Sequence, residues 1–362
     1  MPRWLATCRI AASAAALLWG SPIVAQQTPP RPTRPPAPLF MSEDVLNITI
    51  EGPLERVFDE RSQDPESFDA QLRYRAPDGS ETTFDIELRT RGFYRLKAAT
   101  CRFPPLRVNF KKSAVEGTVF AGQDKLKLVT HCQDSREEYQ QYVLQEYLIY
   151  RAYSLFTDLS FRVRLAQITY VDTERRRDTV TKYAFFLEDD EAMAGRNGWD
   201  LLEVPQVVPS QMQQPPLALM EVFQFMIGNT DWDAFRPEPD DPCCHNTKLA
   251  GSLETLTVIP VPYDFDWAGL INARYATPNP ELNIRSVRNR LFRGICRPRE
   301  ELDAVLAMFL ERRDAVYENF RSLPALDPQR LEDSIEYLDE FYEIVSDPAK
   351  VEREIVRRCR RT

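Results

Sequence analysis

Short segments in which hydrophobic and polar residues alternate occupy most of the chain between residues 45 and 187. Alternation with a period of two is typical of strands that bury one face. It predicts seven strands, at 46–50, 70–74, 84–88, 106–110, 126–129, 161–171 and 181–187. Gly79, in the sequence Pro-Asp-Gly-Ser, supplies a turn between two of them.

A helical period appears once within this region and becomes dominant after it. Residues 135–156 repeat hydrophobic positions with helical spacing, and Ser135 with Glu138 forms a capping-box sequence. After residue 188, helices are predicted near 217–227, 299–321, 328–345 and 348–360. The sequence therefore predicts an α+β protein, in which a sheet with one long helix (42–187) precedes a mainly helical part (188–362).

The first 41 residues show neither the alternation of strands nor the period of amphipathic helices. Residues 1–25 have the basic start and short apolar run of a secretory signal, and residues 26–41 are rich in proline. We expect the signal to be removed, the proline-rich segment to be an unpacked linker, and the protein to be periplasmic or secreted. No later segment has the length and apolarity of a membrane helix, so we expect no membrane insertion.

Composition limits the partners that the protein is expected to bind and indicates whether its cysteines are oxidised. The formal net charge of −9 becomes about −11 once Arg3 and Arg9 leave with the signal, which argues against nucleic acid as the main partner. Six cysteines follow the signal, and an even number in an exported chain favours disulfides over a metal site. The expected pairs are Cys101–Cys132 and one that joins Cys243 or Cys244 to Cys296 or Cys359.

The residues best suited to chemistry are concentrated between 222 and 269. An apolar helix leads to Asp231, and a Pro- and Asp-rich loop leads on to Asn246. A short apolar strand then ends just before Asp264 and Asp266, which face the same side in an extended chain and repel unless a cation lies between them. Phosphotransferases of the protein-kinase type use this order: an aspartate that takes a hydroxyl proton, then an asparagine and an aspartate that hold Mg²⁺.

At these positions the chain resembles the CotH family of spore-coat kinases and, more distantly, HipA-type kinases. The most specific matches are 227–231, continued at 245–246, and 262–266. Weaker matches lie at 89–92, 103–110, 125–129 and 183–188. The resemblance implies a bilobal kinase-like fold. Its parts would be a β-rich N-lobe with one long helix (42–187) and a mainly helical C-lobe (188–362), with catalytic and metal-binding segments at 227–269 and C-terminal helices at 299–360.

The function that this resemblance implies is transfer of a phosphoryl group from ATP to a protein hydroxyl with Mg²⁺ or Mn²⁺. Asp231 is the expected base, although Asp233 is close enough in sequence to exchange roles with it. Asn246 and Asp264 are the expected metal ligands, with Asp266 beside them. The insertion between Asp231 and Asn246 must loop out if both are to face one metal.

The nucleotide is expected to meet a cation on the strand before the long helix. Glu146 lies on an otherwise apolar helix, where a buried carboxylate needs a positive partner. Kinases place a Lys–Glu pair at this junction, so Lys127 is the expected partner, and Arg107 or Arg91 is an alternative. These four residues form the predicted nucleotide-binding set.

Two other classes of function compete with the kinase interpretation. Compartments outside the cytoplasm hold little ATP, which favours a catalytically silent kinase fold that binds a nucleotide or a protein. A metal-dependent hydrolase is the second alternative, and it would use Asp231, Asp233, Asp264 and Asp266 as a carboxylate cluster. His245 is the only nearby candidate for a further ligand, and we interpret it as structural.

Overall fold

A computed structural model describes residues 29–76, 78–237 and 243–361. Seven strands form a closed barrel in the order β1, β2, β3, β4, β5, β7, β6. Their bounds are β1 (Leu46–Gly52), β2 (Phe68–Arg75), β3 (Glu81–Thr90), β4 (Leu106–Phe110), β5 (Lys125–Val129), β6 (Val163–Asp172) and β7 (Val180–Leu187). Every adjacent pair is antiparallel except β1 and β6, whose parallel pairing closes the barrel. The predicted signal at 1–25 lies outside the described residues.

The barrel corrects the expected fold class. All seven strands were predicted close to their observed positions, but the β-rich N-lobe of a bilobal kinase is replaced by a closed mixed barrel. Alternation shows which face of a strand is buried, whereas the partner of a strand depends on long-range pairing that the pattern does not contain. The predicted long helix of 42–187 is present as α2 (Glu137–Ser154), with 18 residues, and the helix predicted at 328–345 is α7 (Pro328–Ser346), with 19.

Helix α2 lies between the barrel and the helical part of the chain. It packs on β6 and β7 on one side and on α6 (Arg313–Arg321) on the other, so most of its residues are buried. This position explains why Gln145 and Glu146 are buried among apolar neighbours. The capping box predicted at Ser135 is not formed, because the helix begins after Arg136 without a side-chain cap.

The helical part surrounds a three-stranded sheet of order β10, β9, β8. These strands are β8 (Asp200–Leu202), β9 (Thr247–Ser252) and β10 (Thr257–Pro262). The remaining helices are α1 (Leu54–Asp59), α3 (Asp190–Arg196), α4 (Gln214–Ile227), α5 (Arg299–Glu311) and α8 (Pro348–Glu354). One hydrophobic core joins α2 to α4, α5, α6 and α7, whereas a second core fills the barrel. No helix in the described ranges is long and apolar enough to cross a membrane.

The proline-rich segment and two of the disulfides differ from expectation. Arg31 donates a hydrogen bond to the carbonyl of Trp199 at 2.6 Å, and Leu39 and Phe40 are buried in the barrel core, so parts of 29–41 contact the folded protein although most of the segment is exposed. Cys101–Cys132 is present as predicted. The other pairs are Cys243–Cys244 and Cys296–Cys359, so the expected link between these two regions is wrong. Three disulfides are compatible with a secreted protein.

Candidate functional site

An acidic cluster, consisting of Glu146, Asp231, Asp264 and Asp266, forms where the loop after β10 meets α2. Asp264 adopts a left-handed conformation with φ of 59°, and its backbone N–H donates to the hydroxyl of Tyr150 on α2 at 2.8 Å. Asp264 and Asp266 do face the same cation, as their spacing predicted. They do so through a turn rather than an extended strand.

The cation at the centre of the acidic cluster is Arg95, which sequence reasoning missed. It lies in the connection between β3 and β4, and its side chain is 10% exposed. Its guanidinium lies 3.3 Å from Asp266 Oδ2, 3.3 Å from Asp264 Oδ1 and 3.7 Å from Glu146 Oε2. The available signal was an arginine three residues after Gly92, just beyond the segment 89–92 that the resemblance had singled out.

Glu146 therefore does not pair with Lys127, and that prediction is wrong. Lys127 Nζ instead lies 2.5 Å from Asp190 Oδ1, at the start of α3. The general argument for a cation beside Glu146 was correct, because the helix buries this carboxylate. The cation comes from a loop, whose path the strand pattern does not predict.

The acidic cluster holds more negative charge than Arg95 balances. Burial raises the pKa of Asp266 to about 7 against the attraction of Arg95, and the charges of Asp264 and Asp231 raise it further. Burial also raises the pKa of Glu146 well above its ordinary value, and Glu146 Oε1 has no hydrogen-bond partner among the described residues. A raised pKa means that these two carboxyl groups bind a proton more readily than ordinary ones, which reduces the negative charge of the cluster.

Asp231 and Asn246 are brought together although fifteen residues separate them. Asp231 follows α4 and the left-handed Gly228, and its N–H donates to the side chain of Asn229 at 2.9 Å. Asn246 Nδ2 donates to the backbone carbonyl of Asp231 at 2.7 Å and to its Oδ2 at 3.0 Å. His245 Nε2 lies 3.1 Å from Asp231 Oδ1. The expected convergence of Asp231 and Asn246 is thus present.

Asp233 is directed away from the acidic cluster. Its Oδ1 accepts hydrogen bonds from the N–H groups of Phe235 and Arg236, and its Oδ2 lies 3.5 Å from Arg360. Arg293 donates to the carbonyl of Trp232 at 2.5 Å, on the C-terminal side of Asp231. Asp233 thus holds the loop that carries Asp231, and it does not share the position of a base.

A basic cluster, consisting of Arg91, Arg107, Lys127 and Lys248, lies beside the acidic one. Asp190 is ion-paired with Lys127 and, at 3.5 Å, with Lys248. Burial lowers the pKa of Lys127 to about 8 against the attraction of Asp190, and the charges of Arg91 and Lys248 lower it further. Burial and the charge of Arg91 also lower the pKa of Arg107, whose Nε is buried without a partner. This cluster has an excess of positive charge.

Tyr263 connects the two clusters. The ammonium groups of Lys127 and Lys248 lie 5.7 Å and 5.0 Å from the centre of its ring. Its backbone N–H donates to the carbonyl of Asn246 at 3.2 Å, and Asp264 is the next residue. Arg91 is close enough to lower the pKa of both Lys127 and Glu146. A ligand with anionic groups and a divalent cation would thus meet both clusters at one place.

The residues of the acidic cluster do not form a closed metal cage. Among the described residues, no three or more His, Cys, Asp or Glu side chains are arranged so that they could hold a metal ion. Arg95 lies between the inner carboxylates, which leaves Asp231, Asn246 and Asp264 on the outer side. Glu146 and Asp266 already have a positive partner in Arg95, so neither carboxylate requires a metal ion to be buried.

The chain matches no protein-family model. A search of curated proteins also gives no match.

Proposed function

We propose that this protein transfers a phosphoryl group from ATP to a hydroxyl of a protein substrate, with Mg²⁺ or Mn²⁺ as cofactor. The observation that carries the proposal is the contact of a basic cluster with an acidic cluster through Tyr263. A polyphosphate is bound by positive charge, which the basic cluster supplies, and a divalent cation is bound by negative charge, which the acidic cluster supplies. Because fold does not determine function, the proposal rests on these side chains and not on a kinase-like fold.

The basic cluster is assigned to the phosphates. Among the described residues, Asp190 pairs with Lys127 and Lys248, and Asp189 and Asp190 both lie near Arg107, so two carboxylates face four cations and positive charge remains for an anionic ligand. Arginine offers planar, paired N–H donors and lysine a compact charge, and both types recur at phosphate sites. A bound triphosphate would also restore the pKa of Lys127 towards its ordinary range, because it would offset the repulsion from Arg91 and Lys248.

Asp231 is assigned to the acceptor hydroxyl. Its carboxylate accepts a hydrogen bond from Asn246 and contacts His245, so its orientation is fixed from two sides. Its side chain is 28% exposed, which leaves it accessible to a substrate. Asp231 would orient the hydroxyl and accept its proton, as the catalytic aspartate of a phosphotransferase does.

Asn246 and Asp264 are assigned to the divalent cation, which would neutralise charge that develops on the transferred phosphoryl group. The Asp264 side chain is 39% exposed, whereas that of Asp266 is 8% exposed and contacts Arg95. Asp266 therefore orients Arg95 and Asp264 in this proposal, and it is not assigned as a direct ligand. Catalysis would come mainly from positioning and from charge neutralisation.

A second candidate is a nucleotide-binding protein that performs no transfer. The position of Arg95 favours this second candidate, because the guanidinium already neutralises part of the acidic cluster. In addition, no metal cage is preformed among the described residues. A hydrolase that uses four aspartates is disfavoured, because Asp233 is directed towards Arg360.

The experiment is incubation of the purified exported chain with γ-labelled ATP and Mn²⁺, with and without casein. We expect label on the protein itself or on casein, and loss of label in Asp231→Asn and Asp264→Ala. Asp303→Asn is the matched control, since this exposed aspartate pairs with Arg299 on its own helix. ATP-dependent thermal stabilisation without label would support the silent binder. Release of phosphate from simple esters without ATP would support a hydrolase.

A further inference from the structure

A cavity at one end of the barrel contains none of the residues of the acidic or basic cluster. Its walls come from helix α1, from the connection between β6 and β7, and from the segments 102–103 and 133–135, and its volume is about 360 Å³. Small-molecule sites often lie in the mouths of barrels, and this volume is near the lower end of their usual range. The cavity is therefore large enough for one small organic ligand.

The deepest part of the cavity combines an apolar surface with one unpaired hydroxyl group. Phe58 and Phe103 pack with their ring centres 4.2 Å apart, and Phe103 packs on Tyr170 at 4.6 Å. Tyr170 lines the cavity and is 1% exposed, yet its hydroxyl has no hydrogen-bond partner in the part of the chain that the structure describes. A buried hydroxyl without a partner is unfavourable, and a hydrogen bond from a ligand would remove that cost.

The hydroxyl of Tyr170 lies close enough to the cavity wall to be affected by its charge. Burial raises the pKa of Tyr170, and the negative charge of Asp134, which lines the same cavity, raises it further. Tyr170 therefore stays protonated at neutral pH and can both donate and accept a hydrogen bond. Asp134 itself is already engaged by His131 at 2.5 Å and by Arg177 at 3.4 Å. The hydroxyl is thus left for a ligand.

The walls of the cavity are held in place without a ligand. The Cys101–Cys132 disulfide joins the chain before 102–103 to the chain before 133–135, and the N–H of Phe103 donates to the carbonyl of Cys132 at 2.9 Å. In the connection between β6 and β7, the guanidinium of Arg177 lies 4.8 Å from the centre of the Phe58 ring. A ligand would therefore enter a preformed site, which reduces the entropy that binding costs.

The charges around the cavity balance one another. Three arginines and three carboxylates line it, namely Arg102, Arg176, Arg177, Glu55, Asp134 and Asp178. A ligand with a net charge would meet repulsion as well as attraction from this set. Hydroxyl groups, in contrast, each donate and accept, so a ligand that carries several of them can use both kinds of partner.

We propose that this cavity binds an uncharged sugar unit, with one of its oxygen atoms hydrogen-bonded to the hydroxyl of Tyr170. A sugar ring carries hydroxyl groups around its edge and C–H groups on its faces. Its edge thus matches the polar side chains of the wall, and its faces match the apolar surface around Phe58 and Phe103. This proposal does not depend on phosphoryl transfer or on a metal ion.

The test is saturation-transfer difference NMR of the purified exported chain with the methyl glycosides of glucose, galactose, mannose and N-acetylglucosamine. Glucuronate and glucosamine are the charge comparators, since each adds one charged group, negative or positive, to the same type of ring. We expect at least one neutral glycoside to bind. We expect both charged sugars to bind roughly tenfold more weakly than the best neutral one, as measured by titration.

The variant that tests the hydroxyl is Tyr170→Phe. It should weaken sugar binding roughly tenfold without lowering the Tm, because the hydroxyl that it removes has no partner in the folded protein. Tyr342→Phe is the matched control, since Tyr342 is also buried with an unpaired hydroxyl but lies in the helical core and does not line the cavity. Ser135→Trp, at an exposed position of the wall, should fill the mouth and abolish binding.

Each result supports or overturns the proposal. Failure of all four neutral glycosides to bind the folded wild type would overturn it, and so would tighter binding of glucuronate or glucosamine. Equal losses in Tyr170→Phe and Tyr342→Phe would show that the sugar lies elsewhere. Undiminished binding by a folded Ser135→Trp would show the same, whether or not Tyr170→Phe folds.

Discussion

The acidic and basic clusters are opposite in charge, but each is organised around one residue of the opposite charge. In the first, one buried arginine contacts three carboxylates, and in the second, one aspartate contacts two lysines. The difference lies at their centres: the side chains of Arg95 and Glu146 are 10% and 2% exposed, whereas those of Asp190 and Lys248 are 16% and 31% exposed. In both, the central residue lies outside the regular strands and was missed by sequence reasoning.

The difference in burial indicates different roles. A deeply buried ion group is costly to break and therefore holds its geometry, whereas a partly exposed one exchanges its counter-ion with solutes more readily. We infer that Arg95 stays in place when ligands bind. Asp190, in contrast, stays paired with Lys127 and Lys248 until bound phosphates become additional partners of the same lysines.

The largest effect is expected from removal of the central arginine. Arg95→Ala leaves three carboxylates without their cation, and we expect a loss of about 3–5 kcal/mol in the free energy of unfolding, measured by urea denaturation. Arg299→Ala, which removes an exposed ion pair, should cost less than about 1 kcal/mol. Equal losses for the two variants would show that Arg95 and its three carboxylates do not form a buried ion group.

A smaller loss is expected from removal of the central aspartate. Asp190→Ala should lower the free energy of unfolding by about 1–3 kcal/mol, because the lysines that it leaves unpaired repel each other but Lys248 is partly exposed. Added pyrophosphate should recover part of this loss, since it replaces the missing carboxylate. Asp200→Ala, which removes an exposed partner of Arg31, is the control and should not respond to pyrophosphate. Absence of any recovery would contradict an anion site.

The lowered pKa of Lys127 in the basic cluster should make the free energy of unfolding depend on pH. The pKa of Lys127 is lowered to about 8 in the folded protein from 10.5, so between these values the unfolded chain binds a proton that the folded chain does not. The free energy of unfolding of the wild type minus that of Lys127→Met should therefore rise by about 1–2 kcal/mol between pH 8 and pH 10. Urea denaturation at several pH values measures it. A flat or falling difference would show that Lys127 keeps an ordinary pKa.

The smallest effect is expected on nucleotide affinity. Lys127→Ala should weaken ATP binding roughly tenfold, about 1.4 kcal/mol, and should reduce the dependence of binding on salt. Lys125→Ala is the matched control, because Lys125 begins the same strand but is exposed. An equal loss for both variants would assign the effect to general charge and not to the basic cluster.

Sequence reasoning singled out three polar residues of the candidate site but not the residues that organise it. Asp231, Asn246 and Asp264 were identified from their order along the chain, and the contact of Asp231 with Asn246 agrees with the expected loop-out of the insertion between them. Arg95 and Asp190 were not identified, because the partner of a buried charge depends on how loops cross the barrel. Lys127 was predicted to pair with a carboxylate on α2, but its partner Asp190 comes from the start of α3.

The fold was predictable at the level of its elements and not at the level of their pairing. The strand at 106–110 has the predicted bounds, and helix 299–321 was predicted as one although it divides at Arg312. Closure of the barrel depends on parallel pairing of β1 with β6, with Leu46 opposite Ala166. No local period encodes that contact, so the chain was assigned to a bilobal fold that it does not have.

The central claim is that both clusters bind one metal–nucleotide complex. It is tested most directly by a double-mutant cycle on ATP affinity in Mn²⁺, measured by calorimetry for the wild type, Lys127→Ala, Asp264→Ala and the double variant. The account predicts that the two losses are not additive, with a coupling of at least about 1 kcal/mol, because one ligand contacts both sites. Strictly additive losses, or no ATP binding by the wild type in Mn²⁺, would contradict it.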